Sequence, residues 1–109
     1  MDKQLITTNF QLDGYRIVKS LGVVRGITVR SRSIVGNFVA VIEMLFGGKI
    51  HMYTQLCEKV REDSFNLMIE HAEQMNANAI IGFRYDATEI GGGISEVLAY
   101  GTACTVEKI

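Results

Sequence analysis

A chain of 109 residues with 48% hydrophobic content is long enough to bury one core and too short for two ordinary domains, so residues 1–109 are expected to form a single unit. A formal charge of -1 and a pI near 6.1 give no net pull toward nucleic acid or an anionic membrane, and neither partner is expected. No stretch reaches the roughly 18 apolar residues of a membrane span, and the opening Met1, Asp2, Lys3 is not a secretory start, so the expected location is the cytoplasm.

The charge is uneven along the chain. Residues 1–32 hold six bases against Asp2 and Asp13, whereas the remainder carries ten acids against five bases, a pattern that suits complementary charges between elements or subunits. The two cysteines, Cys57 and Cys104, form no CxxC pair; they fit a reducing compartment and read first as small buried hydrophobes.

Residues 5–12 alternate weakly and run into Asp13 and Gly14, a dipeptide suited to the positive φ of a tight turn, so a first hairpin is expected there. A long strand pattern follows over 15–30. Tyr15, Ile17, Leu21, Val23, Ile27 and Val29 share one face, while Ser20, Gly22, Val24, Gly26 and Thr28 make the other face small, as close approach of another backbone requires. Ser31 and Ser33 can cap a helix whose stripe is Ile34, Val35, Phe38, Val39, Ile42, Leu45 and Phe46; it is apolar nearly all round and needs cover on most sides.

Gly47 and Gly48 end that short helix, and a second runs from about His51 to Met75, roughly 35 Å long. Asn76 stands where a helix needs a left-handed residue after its last turn. A strand begins almost at once, with Ala79, Ile81, Phe83 and Tyr85 alternating against Ile80, Gly82, Arg84 and Asp86. The three glycines 91–93 then turn the chain into a last strand over 94–106, again with one bulky and one small face. The class is α+β: a small antiparallel sheet with one short apolar helix and one long helix.

Several fragments in this order resemble the YbjQ-like proteins, also called the putative heavy-metal-binding domain family. They are Thr7-Thr8, Gly14, Leu21-Gly22-Val23-Val24-Arg25-Gly26, Phe46-Gly47-Gly48-Lys49 followed by Tyr53, Val60-Arg61, Ala77 through Asp86, and Gly101-Thr102-Ala103. Family members typically have glycine where this chain has Asn76, a change that a left-handed cap tolerates. The resemblance implies a protomer that assembles into a ring, a pentamer in the family, with strands sharing a barrel-like arrangement. It carries no ligand set onto these positions.

For a soft or borderline metal such as zinc or copper, the candidate ligands are His51, Cys57, His71 and Cys104. They are thinly spread. His71 shares a helix face with Met68 and Met75, which is also how an ordinary core stripe reads, and no local motif supplies the four ligands of a closed zinc site. Arg61, Asn78, Arg84 and Asp86 are the candidates for binding a small ligand, against the simpler roles of Asn78 as a junction cap and Arg61 as the partner of Asp86 or a helix carboxylate. No nucleophile elbow or phosphate loop is present, so a conventional enzyme is the weaker class. Three functions remain: a heavy-metal-binding homo-oligomer, a small-ligand ring with its pocket between subunits, and a purely structural interaction module.

Overall fold

The computed structural model describes the backbone of residues 1–31, 49–91 and 94–109, and the side chains of these residues other than 31 and 49–53. The short apolar helix expected over residues 34–46 lies outside them, as do Gly92 and Gly93 of the expected glycine turn.

Among the described residues, three long strands, β1 (Tyr15–Ser31), β2 (Ala79–Gly91) and β3 (Ile94–Lys108), form an antiparallel sheet in the order β1-β3-β2, with one long helix, α1 (Lys49–Gln74), packed on one face. The helix starts two residues before the expected His51, which leaves the predicted boundary slightly late.

The small faces of the strands are the ones that receive α1. Val24, Gly26 and Thr28 of β1 and Ala99, Gly101 and Ala103 of β3 are buried, opposite Met68, Ile69 and Ala72 of the helix. Gly26 is the point of closest approach: a Cβ there would overlap the Ser64 carbonyl and lie 2.5 Å from the Met68 nitrogen, so helix backbone rests directly on strand backbone. Beside it, the hydroxyls of buried Ser64 and Thr28 lie 2.7 Å apart and Ser64 Oγ is 3.0 Å from the Val97 carbonyl. Ser64 therefore donates to Val97 and accepts from Thr28, which satisfies both hydroxyls in an otherwise apolar layer.

Two register shifts in β1, between Ile17 and Lys19 and between Ser20 and Gly22, each insert one extra residue against β3. Because each shift reverses the facing of the strand, two of them restore it. Tyr15 and Ile17 thus lie on the same face as Val23, Ile27 and Val29, as the alternation predicts, whereas Leu21 sits in the second bulge and packs against the helix-side core instead.

The hairpin expected at Asp13 and Gly14 does not form. Residues 3–5 make a short 3-10 helix, Lys3–Leu5, capped by the Asp2 carboxylate, and Ile6 bridges Ile80 in parallel. The chain then follows the outer edge of β2: Thr7 N–H donates to the Ile80 carbonyl at 3.0 Å, Phe83 N–H to Thr7 at 3.0 Å and Gly82 N–H to Asn9 at 2.8 Å. Backbone groups left open on an edge strand outcompete the weak local alternation. Leu5 and Leu12 consequently cover the lower part of the sheet face opposite α1, closing a second core over Ala79, Cys104, Val106, Tyr15, Ile17 and Ile81.

Candidate functional site

The helix-to-strand junction is built by backbone geometry. Asn76 has φ 60, its N–H donates to the Glu73 carbonyl at 3.0 Å, and Ala77 N–H donates to Ala72 at 3.1 Å. This pair of bonds is the Schellman arrangement, which satisfies carbonyls that the end of a helix leaves open. Asn78 follows, its N–H on the Cys104 carbonyl at 3.2 Å and its side-chain amide paired with the backbone of Val106, so its polar atoms serve the sheet.

Arg61 and Asp86 are not brought together. Arg61 stacks over the Tyr85 ring, 6.0 Å to the centroid, and its carbonyl accepts from the Tyr85 hydroxyl at 3.4 Å. Tyr85 and Asp86 are neighbours on a strand and face opposite sides, which leaves Asp86 opposite Leu98 on the face away from α1. Phe65 of α1 meets Phe83 of β2 edge-to-face at 5.3 Å, and Phe83 meets Tyr85 of the same strand edge-to-face at 4.8 Å. Burial raises the Tyr85 phenol above its ordinary value, partly offset by the Arg61 charge. Arg84 ties down the amino-terminal segment: its guanidinium donates to the Thr8 carbonyl at 2.8 Å and to Phe83 at 2.7 Å.

The sheet separates Cys104 from the metal candidates carried by α1. Cys57 is exposed on α1, and Cys104 is buried in the second core, on the opposite face. Burial in those apolar surroundings pushes the Cys104 thiol up, away from the thiolate form that binds metal. His71 lies on α1, where its Nδ1 accepts from the Arg25 N–H at 3.2 Å; His51 belongs to the helix, with its side chain outside the described set. Among the described residues no three His, Cys, Asp or Glu side chains converge on a point that could hold an ion. One protomer's described residues therefore do not fit a closed soft-metal site.

Two features escape sequence reasoning because they join distant segments. A cavity of 470 Å³ lies beside the outer edge of β1, between Thr28, Val29 and Arg30 and the helix residues Asp63, Asn66 and Leu67. There Asp63 takes Arg30 at 3.3 Å and Lys59 at 3.0 Å, and the hydrogen bond and charge of Asp63 raise the Lys59 ammonium value. Another cavity, of 770 Å³, opens at the far end of β1 and β3 around Tyr15, Arg16, Glu107 and Ile109; it is lined by none of the candidate metal-binding or ligand-binding residues.

A sequence profile of the YbjQ family, described as "Putative heavy-metal-binding", matches residues 4–107. A UPF0145 protein of Burkholderia thailandensis is 66% identical over 102 residues, spanning 94% of this chain and 92% of that protein. A UPF0145 protein of Burkholderia mallei is 63% identical over the same extent of both chains. Among solved structures, a protein of unknown function of the DUF74 family from Pediococcus pentosaceus superposes with a TM-score of 0.54 at 22% identity, covering 94% of this chain and 96% of its own, a likeness of fold. With the profile spanning residues 4–107 and relatives this close, the chain belongs to the YbjQ family of UPF0145 proteins.

Proposed function

We propose that this protein is a self-assembling module, a cytoplasmic homo-oligomer that closes into a ring, and that heavy-metal binding is a property of the assembly, with ligands drawn from more than one subunit. The observation that carries this reading is the upper half of the sheet face opposite α1. There Val23, Ile27, Val29 and Ile94 are 70%, 42%, 50% and 36% exposed, on the side that neither the helix nor the amino-terminal segment covers. Large apolar side chains exposed together on one face of a small protein, here with Arg25 and Glu96 among them, commonly mark an interface.

The two edges of the sheet, β1 and β2, differ from one another. Contacts between unlike surfaces close into rings when the rotation permits, and five subunits is the number that the family resemblance implies. The separation of Cys57, Cys104 and His71 within a protomer supports a site that needs residues from neighbours. Arg84 and Asn78 are structural in this reading, tied to Thr8, Phe83 and Val106.

Native mass spectrometry of protein purified without a metal-affinity step tests both halves at once. The expected result is one species at a multiple of 12.1 kDa that takes up zinc or copper(I). A species at 12.1 kDa alone overturns the assembly, and an oligomer that takes up neither metal overturns the metal half.

A further inference from the structure

The chemistry of His71 bears on which residues can take part in that metal binding. Its Nδ1 lies 3.2 Å from the backbone nitrogen of Arg25, whose N–H can only donate. Nδ1 must therefore hold a lone pair, and in the neutral ring the proton is on Nε2. A histidine that binds metal through one nitrogen carries its proton on the other and donates it to an acceptor. Turning Nε2 into a ligand would place a proton on Nδ1 and set two donors against each other at Arg25. Binding through Nδ1 would displace the Arg25 amide instead. Either route costs the contact that the fold makes.

That contact has its own use. Among the described residues β1 is an edge strand, and α1 crosses its buried face at Gly26, so the Arg25 N–H emerges beside the helix where no described strand pairs with it. The 400 Å³ cavity at this place, between Arg25, Ile27, Leu67, Glu70 and Gln74, is where the imidazole reaches across. We propose that His71 is a fixed backbone acceptor, held as the Nε2–H tautomer, that fastens α1 to the outer edge of β1 and is not one of the metal ligands. The second clause rests on the reading that the assembly binds metal; the first does not.

Two readouts test this. Nitrogen-15 spectra of the imidazole, assigned to His71 by comparison with His71→Gln, are expected to show the Nε2–H tautomer and to stay unchanged as zinc is added. Hydrogen exchange at the Arg25 amide is expected to stay near the parent rate in His71→Asn, whose Oδ1 stands at the position of Nδ1 and can still accept. In His71→Leu it should rise about three- to tenfold, the factor that one neutral hydrogen bond is worth. An Nδ1–H tautomer, a zinc-dependent shift of the His71 ring, or equal exchange in the Asn and Leu variants would overturn the proposal. Should the assembly take up no metal, the metal reading fails by itself, while the tautomer and the Arg25 exchange rate still decide what His71 does.

Discussion

The side-chain amide of Asn78 pairs with the backbone of Val106 in both directions: Nδ2 donates to the Val106 carbonyl at 2.9 Å, and Val106 N–H donates to Oδ1 at 2.8 Å. A side chain here does the work of a strand, extending the β2–β3 ladder one step past its first paired residue, Ala79. Asn78→Ala leaves both partly buried backbone groups of Val106 without a protein partner, so it is expected to cost about 1 to 3 kcal/mol. Chemical denaturation of the variant beside the parent measures this, and coincident curves would refute the role.

Gly26 sets the distance between α1 and the sheet. A methyl group at this position overlaps the Ser64 carbonyl, which is backbone and cannot swing aside as a flexible side chain would. Gly26→Ala must therefore push the helix off Val24, Thr28 and Ala99, at a cost of about 3 kcal/mol or more. By contrast Gly14→Ala meets nothing within 4 Å, and its only penalty is φ +79, so it should cost distinctly less. Melting temperatures that rank the two variants in the opposite order would show that the helix yields easily.

The cysteines should differ in reactivity. Cys57 is exposed, whereas Cys104 is fully buried among Ala79, Val106 and the residues that cover them. Alkylation of the native protein near neutral pH is expected to label Cys57 alone, with Cys104 reacting only after unfolding. The thiol of Cys104 is raised in the fold above its ordinary 9.0, so above that pH the unfolded chain loses this proton first and stability should decline as pH rises. Replacing Cys104 with alanine should flatten that alkaline slope. Rapid native labelling at Cys104 would contradict its burial.

What could be read from the sequence was whatever depends on local spacing. The left-handed Asn76 follows from a helical stripe that ends at Met75, and the two-faced strands follow from simple alternation. The amino-terminal segment could not be read in this way. Thr7 bonds to Ile80 and Phe83, residues more than seventy positions away, and nothing in residues 5–12 encodes that pairing. The bulge at Leu21 hides for a similar reason, since an extra residue shows only against the register of β3. Among the candidate site residues, the sequence suggested a junction role for Asn78 that its bonds to Val106 match; for Arg61 it offered Asp86 or a helix carboxylate, and of these Asp86 lies on the other side of the sheet. Whether a strand face meets its own helix or a neighbour is equally non-local: the small face was legible as a place of close approach, yet only the packing shows that α1 is what approaches.

The remaining bulky face supplies the most direct test of assembly. Val23 and Ile27 are 70% and 42% exposed in the protomer, so changing them removes little of either core. Buried against a neighbour, each would contribute about 1.5 to 3 kcal/mol on the side of the contact that carries it, and a carboxylate there would face desolvation as well. The double variant Val23→Glu and Ile27→Glu is therefore expected to keep the far-ultraviolet circular dichroism of the parent while losing its oligomeric mass. Sedimentation equilibrium at micromolar concentration should show the parent above 12.1 kDa and the variant moving toward that value. A parent already at 12.1 kDa, or a variant that assembles as the parent does, would remove this face from the interface.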